Sequence, residues 1–247
     1  MIRVGTSGWS YRHWKAPFYG KTPQRQWLAF ISRRMTAIEL NGTHYRTPRP
    51  STLRAWHEAV PEGFHFAAKG HRYITHSLKL KDADEALSRQ KHDLAPLGDM
   101  LKVMLWQLPR SLTLDIDRLE AFLENLRTWP EVRHALEFRH ASWFTDEVAN
   151  ALEEAGVANV MSDAADWPLW DHVTAGLAYV RLHGAARTYQ SDYGAESLAA
   201  WADKAIGWQA GGADVYVFFD NDAEAAAPRN ALALMELLKD SGNAPDL

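Results

Sequence analysis

Ionisable and amide side chains recur at the ends of short apolar runs along this chain. Ala135-Leu136-Glu137-Phe138-Arg139 is the clearest case. Alternation along a strand puts Glu137 and Arg139 on one face and Leu136 and Phe138 on the other. A carboxylate and a guanidinium beside a buried strand are costly unless they meet a partner or a ligand. The pattern repeats at Glu39 and Asn41, Lys69, Gln107, Asp163, Arg181 and His183, and Asp220 with Asn221. Lys69, Arg139 and Arg181 have the chemistry to hold a phosphate or carboxylate. Glu137 or Asp163 would serve as general base, and His183 as acid or base, because histidine titrates near neutral pH. Glu39, Asn41, Gln107, Asp220 and Asn221 supply further polar contacts. Trp9, Tyr45 and Trp143 would cover the ligand from the rim. The competing expectation is an ion-pair network that plugs the site for stability alone. Hydrophobic filling of equal volume is often no less stable, so charges spread over seven strand ends are a poor device for that purpose.

The elements that must position these residues read as eight strand–helix units. Strands are expected at 2–6, 36–41, 64–69, 101–108, around 135–139, 158–163, 178–184 and 214–219. Between them lie helical patterns. Thr22-Pro23 looks like a cap with proline in the first turn, and a short helix spans 50–60. Asp82 with Glu85 resembles a capping box for a helix to about Leu97. Asp117 to Trp129 carries Leu119, Phe122, Leu123 and Leu126 at helical spacing. Thr145 caps a helix closed by Gly156. The last two helices run from about Glu196 to Gln209 and from Pro228 onward. The segment 70–81 reads as a long loop, and the link through Trp167-Pro168-Leu169-Trp170 as irregular. Apolar strands with helical crossovers imply a parallel sheet covered on both faces. Eight units in 247 residues fit a single (β/α)8 TIM-type barrel over residues 1–241, with a frayed tail at 242–247. The C-terminal strand ends of such a barrel converge on one charged mouth, where this architecture places its catalytic groups.

Composition narrows the function. A formal net charge of −4 leaves no general basic field for nucleic acid or anionic membrane. A basic rim of Arg12, His13, Lys15, Arg46, Arg49, His71, Arg72 and Lys79 keeps a nucleic-acid-binding module as an alternative. Cysteine is absent, which removes disulfides, thiolate metal sites and a cysteine nucleophile. No signal peptide or membrane-length run is present, so a cytoplasmic location without membrane attachment is the expectation. Gly5-Thr6-Ser7-Gly8 lacks the spacing of a phosphate loop or nucleophile elbow, and no Gly-x-Gly-x-x-Gly follows the first strand. No cofactor is therefore read. A divalent ion on Glu39, Glu137, Asp163, His183 and Asp220 is the alternative, opposed by the three cations in the same cup and by the absence of a spaced histidine pair.

The chain resembles the YecE-like family, a domain family of unknown function, over nearly its whole length. The resemblance rests on Gly5-Thr-Ser-Gly-Trp9 with Tyr11 and Trp14, on Glu39-Leu-Asn41 with Thr43, Tyr45 and Arg46, and on Lys69 with Ile74-Thr75-His76. Gln107-Leu-Pro109, Glu137-Phe-Arg-His140 with Ser142-Trp143, Arg181-Leu-His-Gly184 and Asp220-Asn221 followed by Ala227-Pro228 and Asn230-Ala231 complete it. His44 stands where the family more often has phenylalanine. The resemblance implies a TIM barrel with a charged mouth and no established activity. It also implies a likeness of fold to endonuclease-IV-type enzymes, which use metals on phosphodiesters. Read from the residues, the leading expectation is an enzyme, a hydrolase or lyase, that binds a small anionic or sugar-like ligand by acid/base chemistry. Metal-dependent phosphodiester hydrolysis and non-catalytic nucleic-acid binding remain open beside it.

Overall fold

The apolar runs form eight parallel strands, β1 (Ile2–Ser7), β2 (Ala37–Leu40), β3 (His65–Lys69), β4 (Leu101–Gln107), β5 (Arg133–Glu137), β6 (Val157–Asp163), β7 (Leu177–Leu182) and β8 (Asp214–Phe219). They pair in chain order, and β8 pairs back onto β1 to close the barrel. The structure, a computed structural model, describes residues 1–243; the rest of the expected tail, 244–247, lies outside the described residues. The helices are α1 (Trp27–Ile31), α2 (Pro50–Ala59), α3 (Asp84–Leu94), α4 (Ile116–Leu126), α5 (Asp146–Ala155), α6 (Ala195–Ala210) and α7 (Ala226–Asp240). The link between β6 and β7 forms no helix, as its two tryptophans and proline predict. Among the described residues no helix is long and apolar enough to cross a membrane.

Helix ends follow local chemistry, with some departures from expectation. Thr145 accepts a hydrogen bond from the Val148 amide at 3.2 Å, and Gly156 closes α5 in the left-handed region at φ 67°. Thr145→Ala should cost about 1 kcal/mol in urea denaturation, the worth of such a cap. The expected capping box at Asp82 does not form. Asp82 sits at φ 45°, and α3 starts at Asp84 without a side-chain cap. Asp115 caps α4, accepting from the Arg118 amide at 3.2 Å, and the helix runs Ile116–Leu126 where the spacing predicts 117–129. Thr22-Pro23 leads into one turn at Gln24–Gln26 before the short α1, and α7 begins two residues ahead of Pro228. The expected loop after β3 contains a wide helical turn at Tyr73–Ser77.

Two apolar layers hold the barrel. Outward side chains such as Phe66, Trp106, Leu136, Met161 and Leu182 pack against the helices. Inside, Ala37, Ala67, Ala135 and Ala158 face Tyr179, Tyr216 and Phe218. Small residues on four strands leave room for three aromatics on β7 and β8, so the interior is filled and is not a pore. Each large apolar side chain buried there contributes roughly 1.5–3 kcal/mol. Glycine permits one close approach: a Cβ on Gly5 would run into the Ala37 carbonyl of β2.

Candidate functional site

One inward position beyond this filled layer, each strand changes from apolar to polar. Ser7, Glu39, Lys69, Gln107, Glu137, Ser162, Arg181 and Asp220 each stand two residues past an inward residue of the layer below. Alternation makes them share one cup. At its centre lies Arg181, 1% exposed. Its guanidinium donates to both carboxylate oxygens of Glu39, from Nη2 to Oε1 at 2.7 Å and from Nε to Oε2 at 3.0 Å. It also donates to Glu137 at 2.9 Å, to Asp220 at 3.0 Å and to the Ser7 hydroxyl at 3.3 Å. Three acids from three strands therefore converge on one buried cation.

The acids are saturated by further partners. Tyr179 donates across the barrel to Glu39 Oε2 at 2.6 Å, and Ser7 donates to Glu39 Oε1. Ser162 donates to Glu137 at 2.7 Å, and Arg139 pairs with Glu137 on its other side. Burial would raise the Glu137 carboxyl, but the Arg139 and Arg181 charges outweigh it and hold the group well below the carboxylate range. Burial likewise opposes ionisation of Asp220, and the contact with His183 and the charge of Arg181 keep it lowered.

His183 is fully buried between these groups. Its Nε2 lies 3.2 Å from Arg181 Nη1. Its Nδ1 lies 3.1 Å from Asp220 Oδ2, at an angle short of a well-formed hydrogen bond, so that contact is electrostatic more than directional. Burial, with Arg181 beside it, lowers its pKa and keeps the ring neutral at neutral pH. Trp167 from the β6–β7 link and Tyr189 from the loop after β7 cover it, at ring centroid distances of 4.5 and 5.5 Å. Trp167 also lies over the Arg139 guanidinium at 3.5 Å.

Lys69 differs from the rest. It is half-buried at the end of β3, and among the described residues its ammonium makes no hydrogen bond and no ion pair. Burial and the Arg181 charge push its pKa down to about 8, against partial support from Glu137, Glu39 and Asp220. Two histidines feel its charge. Burial and then Lys69 push His44 down to about 4 and lower His76, with Arg72 adding to both and Arg139 to His76. Their rings meet at 5.0 Å. Among the described residues no acid forms an ion pair with Lys69 in this corner of the mouth; the cup acids reach it only at longer range.

Several expected site residues stand elsewhere or are not free for a ligand. Asp163 faces away from the cup, because Ser162 is the inward residue at that level; its carboxylate takes the Tyr193 hydroxyl at 2.8 Å. Asn221 also points outward and donates to the Ser191 carbonyl and to Asn230 of α7, both at 2.9 Å. Trp143 is fully buried, stacked on Phe138 at 4.9 Å, with its indole N–H on the Leu112 carbonyl at 2.7 Å. It is core rather than rim. Arg181 and His183 occupy the cup but have no face left for a ligand. Gln107 faces inward and donates to the Leu108 carbonyl at 2.7 Å. Asn41 donates to Ser7 at 2.5 Å and, with Trp9 and Trp56, lines a cavity of about 270 Å³ beside the cup. Tyr45, 69% exposed, lines a larger groove of about 690 Å³ with Arg46, Arg49 and Trp56. Among the described residues no group of three His, Asp or Glu side chains is placed to hold a metal ion; the cup acids close on Arg181 instead.

The family model described as "Protein of unknown function DUF72" matches residues 3–246. The chain belongs to this family. A crystallised DUF72 protein of Thermotoga maritima is 29% identical, with a TM-score of 0.86 over 97% of this chain and 99% of that one. A DUF72 protein of Enterococcus faecalis, 21% identical with a TM-score of 0.81 over 97% of this chain and 96% of that one, shares the fold. Protein YunF of Bacillus subtilis is 23% identical over 99% of this chain and 98% of its own length. Protein YecE of Escherichia coli is 26% identical over 66% of this chain, and that match spans 60% of YecE.

In this DUF72 barrel, inspection of strand ends missed Ser7, Ser162, Tyr179, Trp167 and Tyr189. Tyr179 carried a signal, since it shares the parity of Arg181 and His183. Trp167 and Tyr189 carried none, because their places depend on how two irregular loops fold over the mouth.

Proposed function

We propose that the barrel mouth is an enzyme site for a small anionic ligand, a phosphate or carboxylate, seated against Lys69, Arg139 and His76 beneath Trp167 and Tyr189. The observation that carries this reading is the uncompensated ammonium of Lys69. The cup's three acids are held in direct contact by Arg181 and Arg139, whereas Lys69 has no such partner among the described residues, so its ammonium is the charged group left open at the mouth. An anion there would gain charge-assisted hydrogen bonds in a partly dry setting, worth about 1.5–3 kcal/mol each. The flat faces of Trp167 and Tyr189 would exclude water from it. Glu137, Asp220 and His183 then act by fixing Arg139 and Arg181 in place, and proton transfer falls to the Lys69 amine.

Titration of inorganic phosphate into the protein, followed by histidine ring NMR, tests the reading. Bound phosphate should raise the His76 pKa, since it supplies the missing negative charge. Arg139→Leu should weaken binding about tenfold or more, the loss of one charged hydrogen bond. A His76 titration curve unchanged at saturating phosphate would end the proposal.

A further inference from the structure

The geometry points to Lys69 as an amine nucleophile that forms a covalent imine with the carbonyl of an anionic ketone or aldehyde. This rests on the anion seat proposed above and names the chemistry done in it. Three observations lead here. Every other ionisable group in the cup is committed: Glu39 to Tyr179, Ser7 and Arg181; Glu137 to Ser162, Arg139 and Arg181; Asp220 to Arg181 and His183; and His183 to its two neighbours. Among the described ionisable groups of the cup, Lys69 alone has neither a hydrogen bond nor an ion pair at its charged atom.

The lysine is also rigidly based. Its carbonyl accepts from the Thr43 hydroxyl at 2.7 Å. The next residue, Gly70, donates to the Leu105 carbonyl at 2.7 Å and accepts from His44 Nδ1 at 2.8 Å. A Cβ on Gly70 would strike the Trp106 ring, so the backbone turn just after the lysine needs glycine. Such support suits a side chain that must present one atom precisely.

The surroundings make the ammonium proton easier to lose. Burial and the guanidinium of Arg181 work against the ammonium, and Glu39, Glu137 and Asp220 already share their charge with Arg181 and Arg139. Arg72, His44 and His76 add no negative charge on the remaining side. A desolvated lysine beside another cation is a recognised way to make this nucleophile.

The steps balance without an added reagent. The Lys69 Nζ lone pair forms a bond to the carbonyl carbon, and the carbonyl π pair moves to oxygen, which takes a proton. The first proton on that oxygen comes from nitrogen. A second, drawn from solvent, lets the carbinolamine expel it as water while the nitrogen lone pair forms the double bond and nitrogen keeps its remaining proton as an iminium. Arg139 holds the substrate's anionic group throughout. The iminium draws electrons from the adjacent carbon, which suits carbon–carbon cleavage or proton exchange next to a carbonyl.

The test is reductive trapping on the intact protein with sodium cyanoborohydride and either pyruvate or dihydroxyacetone phosphate, followed by peptide mapping. Exposed Lys15, Lys79 and Lys81 serve as internal references. Lys69 should be labelled at least about tenfold faster than these, and free phosphate should slow that labelling. Lys69→Met, checked for folding by circular dichroism, should lose the fast adduct. Labelling of Lys69 no faster than the references, with phosphate still shifting His76, overturns the imine and leaves the anion seat standing. Fast labelling that acetone matches and phosphate does not slow keeps the imine and removes the seat.

Discussion

Replacing Arg181 with alanine should cost this protein about 3–5 kcal/mol, a large share of the roughly 5–15 kcal/mol that holds an ordinary domain folded. The change removes the one cation on which Glu39, Glu137 and Asp220 converge and leaves their charge buried behind Tyr179 and Phe218. Water cannot reach the vacated space easily, so the acids must either take up protons or open the barrel. Urea denaturation at neutral pH is the measurement, with the transition midpoint as readout. Arg181→Met with Glu39→Gln and Glu137→Gln should recover much of the loss, because a hydrogen-bonded neutral cluster no longer carries stranded charge. Equal midpoints for parent and Arg181→Ala would mean that the network does not hold the barrel mouth. Acid should discriminate in the same direction. Glu137 and Asp220 are held below their ordinary values, so the stability they confer is complete above the carboxylate range. It is lost only as pH falls through the lowered values. The alanine variant should therefore become relatively less disadvantaged in acid, where its acids accept protons.

The barrel was legible because its signal is redundant. Eight apolar runs alternate with helical patterns, and no single run had to be placed well for the closed parallel sheet to follow. The charged mouth was legible for the same reason. Facing was harder to read. In β6 both faces are buried, with Ala158 and Val160 inward and Val157 and Met161 outward. Such a doubly buried strand carries no alternation to show which residue of Ser162-Asp163 points in. Asp220 and Asn221 pose the same ambiguity at the end of β8, where one residue decides between the cup and α7. Its place after the charged strand end predicts Trp143 at the rim, but the single turn at Ala141–Trp143 folds it onto Phe138. The type of Arg181 and its place at a strand end, on the face it shares with His183, point to ligand binding. Its role as the buried partner of three acids depends on distances between distant strands, which spacing along the chain does not encode.

Lys69→Met should make the protein more stable at pH 7, by about 1–3 kcal/mol. The folded-state pKa of this amine is about 8 against an ordinary value of 10.5. One pKa unit corresponds to about 1.4 kcal/mol, and partial solvent access reduces the full difference. The sign follows from proton uptake. The unfolded chain holds the proton more tightly, so below pH 8 the folded protein carries the whole penalty of a half-buried ammonium. As pH rises from 8 toward 10.5 the parent loses that penalty and gains stability, while the methionine variant has none to lose. The gap between the two, measured by urea denaturation, should shrink steadily over that interval. Added phosphate at pH 7 should narrow the gap from the other side, because it stabilises only the chain whose ammonium it can pair. A variant less stable than the parent at pH 7, or a gap that ignores pH, would mean that the amine is already satisfied. A charge kept at the barrel mouth against the stability of the fold is best explained by what it binds.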